Sequence, residues 1–316
     1  MTTRHYLDHR LRLQLLRLVE VIETHQSLLK ASVALGVSQP ALTRSLHELE
    51  DIVQARLFDR HARGMRPTEA GTVFVRSARR ILAELRRLDE DLHRLSSPGG
   101  GTVALGGLPV ATSGVLPGAL ARLRADHPGI RIRVQQGRTE ELLPLLASGE
   151  IDLIVGRLYK LPVPDSFERE ALWTEPISIL ARAEHPLLSA KQVSLDEIRR
   201  YDLVLPTITQ RVGQDIEHLL SLLGIDPEHA LRSSSGSFIR EMLHGTDMLS
   251  VMPRLMMVGD LLRGTLRVVP LPIASPDRPA GLILPRDRAL TRSGLTFAGC
   301  LRAYVAEIVE RVSRQI

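Results

Sequence analysis

The chain of 316 residues has a single cysteine, Cys300, so it can form no internal disulfide, and no Cys/His spacing in it suits a zinc site. A reducing compartment and no bound metal are therefore expected. Long apolar runs are missing too, since nothing approaches the roughly 18 uncharged apolar residues of a membrane helix. Charges at Arg4, Asp8, Arg10, Arg12, Arg17, Glu20 and Glu23 break up the apolar core that a signal peptide needs. The expectation is a cytoplasmic protein with no membrane contact. The signatures of common catalytic sites are also missing: there is no HExxH, P-loop or GxSxG, and no GxGxxG behind "TVALGG". No catalytic residue and no cofactor is expected. An enzymatic or solute-binding α/β protein without a DNA role stays as the alternative.

What is present is unevenly distributed. The length exceeds that of one ordinary domain, roughly 100 to 200 residues, and 44% hydrophobic residues suffice for packed cores, so two or three domains are expected. Of the net charge of +5, most lies in the first third, where residues 1–95 carry 16 Lys and Arg against 12 Asp and Glu. A nucleic-acid contact needs that bias, and an ordinary solvated surface can show it as well.

Leu13, Leu16, Val19 and Ile22 recur every three residues and predict a first helix ending near Thr24. A short second helix is predicted from about Ser27 to Leu35. Gly36 then permits a tight turn, Ser38 can cap a third helix, and Pro40 is tolerated in its first turn. Helix, glycine turn, helix is the helix-turn-helix pattern. In the third helix Leu42, Leu46, Leu49 and Val53 share one face. Gln39, Thr43, Arg44 and His47 point elsewhere and can bond phosphates or base edges, although any amphipathic surface helix has such a polar face. The next segment, "ARLFDRHARGMRPTEAG", gathers Arg56, Arg60, His61, Arg63 and Arg66 around Gly64 and Pro67, a basic hairpin suited to a phosphate backbone. The DNA-binding set expected from these segments is Ser38, Gln39, Pro40, Thr43, Arg44, His47, Arg60 and Arg63, with double-stranded DNA as the partner.

The succession "ASVALGVSQPALTRSLHELE" and "RLFDRHARGMRPTEAG" resembles the winged helix-turn-helix of LysR-type transcriptional regulators. The shared features are the Ser-Gln-Pro-Ala start, Leu-Glu, Leu-Phe-x-Arg and Thr-x-Ala-Gly. Two positions depart from that pattern: Ser32 stands where a second Ala is common, and Gln54 where Gly commonly ends the reading helix. Neither touches the outward face. The resemblance implies promoter binding as a homo-oligomer, with RNA polymerase a candidate partner.

From Thr68 the pattern turns heptad. Phe74, Ala78, Ile81, Leu85, Leu88, Leu92 and Leu95 alternate steps of four and three, the seam of a two-stranded coil, so a long helix that joins two copies of the chain is expected. A helix packed on its own domain is the other possibility, usually with a wider apolar stripe. The resemblance adds that this linker helix dimerises and that assemblies are often tetramers. "SSPGGG" ends the helix with flexible residues.

Beyond it, "TVALGG", Gly114 to Ala125, "IRIRVQQ", Thr139 to Ser148 and "IDLIVG" read as a βαβαβ unit with parallel strands. A second unit begins at "DLVLP" and runs through a helix near Gln210 to Leu223, a helix from Ser237 and "MLSVMP". Two α/β lobes imply a crevice that can bind a small molecule at strand ends and helix N-termini. "LPGALARLRADHPGIRIRVQQGRTEELLPLLASGEIDLIVG" is similar to the effector domain of the same family, a two-lobed fold like that of periplasmic solute-binding proteins. The implied organisation is a winged helix-turn-helix at 1–66, a linker helix at 67–95 and a hinge at 96–101. Lobe 1 would comprise 102–164 and 273–316, and lobe 2 would comprise 165–272. Carried over by position, the cleft would be lined by Pro109, Thr112, Ser113, Thr139, Pro206, Thr207, Ser235, Gly236, Ser237 and Phe238, although each Ser and Thr can equally be a plain helix cap. Arg138, Arg157, Arg211 and Arg240 lie near these turns, and Arg157 is included as the guanidinium for a carboxylate effector. Glu140 and Glu141 would oppose an anion unless they face away.

Overall fold

In the computed structural model, residues 10–61, 64–96, 100–159, 166–190, 193–207, 210–270 and 278–313 are described. They fall into two compact units, residues 1–98 with 147–150, and residues 99–146 with 151–316.

The first unit opens with α1 (Leu13–His25), α2 (Leu28–Leu35) and α3 (Gln39–Val53). Ser27 caps α2 by accepting from the Lys30 N–H, and Ser38 caps α3 by accepting from the Ala41 N–H. Between them Gly36, at φ 66°, makes the turn that a side chain would resist. Leu42, Leu46, Leu49, Ile52 and Val53 of α3 bury against Leu15, Leu16, Leu18, Val19 and Ile22 of α1. Leu13, expected on that buried face, is 51% exposed, because the buried stripe of α1 is carried by Leu15 and Leu18 instead.

Glu50 holds the chain after α3, its Oε1 accepting from the N–H groups of Leu57 (2.7 Å) and Phe58 (3.3 Å). Strands β1 (Phe58–His61) and β2 (Gly64–Pro67) form an antiparallel hairpin. Its far side is tied to the end of α1 by Met65 N–H donating to the Gln26 carbonyl at 2.8 Å. Thr68 then starts α4 (Glu69–Ser96), accepting from Gly71 N–H and donating to the Arg56 carbonyl. Gly71 is required there, since a Cβ would lie 1.9 Å from the Leu57 carbonyl oxygen. The Thr-x-Ala-Gly motif is thus the joint between hairpin and long helix.

The second unit contains two sheets. In lobe 1 the strand order is β4 (Ile130–Gln136), β3 (Gly101–Gly107), β5 (Leu153–Arg157), β12 (Pro279–Pro285), β6 (Phe167–Thr174). The first three are parallel, and β12 runs antiparallel to both neighbours. Helices α5 (Pro109–Ser113), α6 (Val115–Asp126) and α7 (Thr139–Ser148) connect these strands, and α12 (Arg292–Ser313) packs on α6. The expected lobe boundary at 165 is corrected by this pairing: β6 lies beside β12 along its length, so lobe 1 extends through Thr174.

Lobe 2 pairs β7 (Ile177–Arg182) with β10 (Ser250–Pro253) and β11 (Leu266–Val268), and β8 (Val204–Pro206) with β9 (Leu231–Ser233). A parallel bridge from Leu203 to Leu249 joins the two sets. Helices α8 (Leu195–Ile198), α9 (Gln210–Leu222), α10 (Gly236–Gly245) and α11 (Val258–Arg263) complete it, around a core that includes Ile179, Leu205, Ile216, Leu220, Leu249 and Val251. The expected return near 273 lies outside the described residues. So do residues 97–99 of the expected hinge, whose two ends are taken up by α4 and β3.

Candidate DNA-reading face and effector crevice

On α3 the residues opposite the buried stripe face outward. Gln39, Pro40, Arg44 and His47 are exposed, Thr43 is half-buried, and Ser38 is occupied as the cap. Arg44, Arg56, Arg60 and Arg66 make no ion pair with any described residue, which leaves their guanidinium groups available to an external anion. Arg60 lies exposed on β1, His61 beside it, and Arg66 across from Asp59 on β2. Arg63 lies outside the described residues. The α3 face and the hairpin therefore belong to one unit whose internal joints at Glu50 and Thr68 fix them to each other.

The heptad seam divides. Ala78 is buried, and Phe74 packs against the same core, with Val75 and Leu82 in contact there too. Arg79 of α4 pairs with Glu23 of α1 and holds the helix on that core. The expectation that Phe74 and Ala78 face a partner is thus corrected: the small Ala78 and its neighbours are covered by the chain's own helices. Ile81, Leu85, Leu88 and Leu92 are exposed by 43%, 36%, 54% and 55%, a continuing apolar stripe. The Leu95 side chain lies outside the described residues.

In the second unit the strand ends of lobe 1 gather several of the named residues. The half-buried Thr112 donates to Gln136 Oε1 at 2.7 Å, joining α5 to the end of β4, and also reaches the Pro109 carbonyl. Thr139 is half-buried at the start of α7, and Glu141 there turns back to accept from the Arg138 N–H. From lobe 2, Ser235 caps α10 by accepting from Phe238 N–H, and its hydroxyl lies 2.9 Å from that of Ser237. Ser113 and this helix start face each other. The Ser113 hydroxyl is 3.6 Å from where a side chain at Gly236 would begin. Thr207 is exposed, with its N–H donating to the Ser233 carbonyl at 2.7 Å, whereas Pro206 is buried in β8. Ser235, Ser237 and Phe238 are exposed.

Of the four arginines, Arg240 is held by Asp260, and the side chain of Arg211 lies outside the described residues. In Asp260 burial pushes the carboxyl up, but hydrogen bonds from Arg240 and Arg263 outweigh it and hold the group below its ordinary range. Arg157 at the end of β5 meets Asp215 of α9, across the lobes, at 3.2 Å. Two charged residues near it went unnoticed in the sequence: Arg278, fully buried just before β12, and Glu175, 1% exposed just after β6. Burial raises the Glu175 carboxyl to about 7, opposed by the Trp173 indole N–H at 3.2 Å and by Arg157. Neither residue lies in a periodic or spaced motif, and a flanking Pro279 is the only local mark of Arg278.

Among the described residues no group of three His, Cys, Asp or Glu is placed to hold a metal ion, and no helix is long and apolar enough to cross a membrane. Two family models match the chain: "Bacterial regulatory helix-turn-helix protein, lysR family" over residues 13–72, and "LysR substrate binding domain" over residues 96–306. The transcriptional regulator PcaQ of Agrobacterium fabrum is 29% identical over 282 residues, covering 89% of this chain and 90% of that protein. Among solved structures, a full-length OxyR variant from Pseudomonas aeruginosa matches with TM-score 0.65 at 21% identity, over 93% of this chain and 95% of the other. Full-length CbnR in complex with its target DNA matches with TM-score 0.61 at 18% identity, over 96% and 100%.

Proposed function

The chain belongs to the LysR family of DNA-binding transcriptional regulators, with a helix-turn-helix and an effector-binding domain, and from that premise we propose how it acts. It binds promoter DNA as a homo-oligomer, places α3 in the major groove and lays the β1–β2 hairpin along the backbone. The exposed stripe of α4 pairs two chains, a dimer that can assemble further into a tetramer. A small effector, a carboxylate metabolite, binds between the lobes at Thr112, Ser113, Thr139, Thr207, Ser235 and Ser237 and shifts the operator affinity.

The observation that carries this reading is the outward row of α3, where a capped helix presents Gln39, Arg44 and His47, in the same unit as the free guanidinium of Arg60. Side chains of these types read base edges and neutralise phosphates. CbnR, whose fold the chain shares, is seen on its target DNA, which supports the same use of this domain here. Titration of the region upstream of the chain's own gene, followed by anisotropy, tests it. Arg44→Ala is expected to lose about 1–3 kcal/mol together with sequence preference. Arg60→Ala is expected to weaken all sequences alike and to flatten the salt dependence by about one unit. An Arg44→Ala protein with unchanged affinity and preference removes α3 from the reading role.

A further inference from the structure

A guanidinium buried without hydrogen bonds is costly unless something answers its charge. Arg278 is such a group, with no exposed surface, no hydrogen-bond acceptor at Nε or Nη2, and none in hydrogen-bond geometry at Nη1. It lies just before β12, and its carbonyl accepts from the Glu175 N–H at 2.9 Å, where the chain crosses from β6 to β7. The charge it faces is Asp215 Oδ2, 3.0 Å from Nη1, and Arg157 Nη1 reaches the same oxygen at 3.2 Å. Two cations of lobe 1 therefore share one oxygen of one carboxylate, lent by α9 of lobe 2. A guanidinium is shaped to take both oxygens of a carboxylate side by side, so this arrangement uses little of what the arginines offer. Glu175 does not make up the difference, because its carboxyl is turned to Trp173.

We infer that Arg278 and Arg157 form a carboxylate-binding site at the hinge end of the crevice, and that Asp215 is a resident stand-in which the carboxylate of a small organic acid displaces. The inference rests on the crevice reading above and names the recognition element within it. Asp215 has a third of its side chain exposed, so an incoming acid reaches the arginines from the solvent side as the aspartate leaves. Displacement breaks an ion pair that spans the lobes. One binding event thereby supplies the differential contact that a ligand-driven rearrangement requires.

The full-length chain is tested by its thermal midpoint as sodium acetate replaces sodium chloride at constant ionic strength. In the unaltered protein acetate raises the midpoint. Asp215→Asn removes the internal competitor, and half of the rise is expected at roughly tenfold lower acetate. Arg278→Gln is expected to abolish the acetate dependence, and Arg157→Gln, at the half-buried member, gives the same readout should the first fail to fold. The inference is overturned if Asp215→Asn is indifferent to acetate, or if the dependence survives in a folded arginine variant, which marks a general salt effect. The crevice reading fails on a different result, an effector whose affinity ignores Ser113 and Thr207.

Discussion

Position 54 closes α3 with a glutamine at φ 57°, a left-handed conformation that costs an ordinary L-residue roughly 1–2 kcal/mol. The departure from glycine noted in the sequence is therefore a local strain at the C-terminus of α3. Gln54→Gly is expected to stabilise the protein by about 0.5 kcal/mol, the relieved strain being partly offset by the freer unfolded chain, as read from urea unfolding. Ser32, the other departure, is buried and donates to the Leu29 carbonyl at 2.8 Å, so its hydroxyl is satisfied. Glu175 gives a second residue-scale expectation. Its folded pKa of about 7 lies above the ordinary 4.5, so the neutral form favours folding, and this contribution is full below pH 4.5 and lost as pH rises through 7. Glu175→Gln keeps an acceptor for Trp173 and is expected to leave stability unchanged near pH 4 and to raise it by on the order of 3 kcal/mol at pH 8. A melting curve with the same variant effect at both values removes that assignment.

At the scale of elements, the helix-turn-helix was legible because its cues are local: two serine caps, one glycine turn and a repeat of leucines. The long helix was legible in extent but not in partner. Steps of four and three look the same whether the face meets the chain's own α1, as Ala78 does, or is left exposed, as Leu88 is. Strand β6 was passed over because it is a sheet edge carrying Glu168, Arg169 and Glu170, charges that suit an edge and hide the strand pattern. The exposed stripe leads to an expectation for self-association. Leu85→Asp places a carboxylate at its centre, where burial against a second stripe costs several kcal/mol. Sedimentation is expected to show dissociation, with tight binding to a two-half-site operator lost in parallel, while an intact dimer assigns assembly to another surface.

For the molecule as a whole, the two-lobed plan followed from alternating strands and helices, but the residues that work together across the crevice did not. Ser113 and Gly236 are far apart in sequence, as are Arg157, Asp215 and Arg278, and the fold brings them together. A buried arginine has no periodic sign, since it occupies a place that patterning assigns to apolar side chains. Ser113→Ala and Thr207→Ala are expected to weaken the effector about 5- to 30-fold, the loss of a net 1–2 kcal/mol hydrogen bond, with ligand-free DNA affinity unchanged. Calorimetry checks both, and reciprocity adds that operator DNA must alter effector affinity by the factor by which effector alters operator affinity.

Helix α4 is anchored by Ala78 and Leu82 in the core of the first unit and carries its exposed apolar stripe onward through Leu92. It therefore acts as a counting device. Each residue added between Ala83 and Leu85 turns the stripe by about 100° and moves it about 1.5 Å along the axis relative to the head. Paired heads would then meet the DNA out of phase with its helical repeat. Insertions of one, two, five or six residues should abolish cooperative operator binding, those of three or four, which leave the stripe only about 60° or 40° from its original facing, should weaken it less, and an insertion of seven, about 20° away, should restore the facing while lengthening the span.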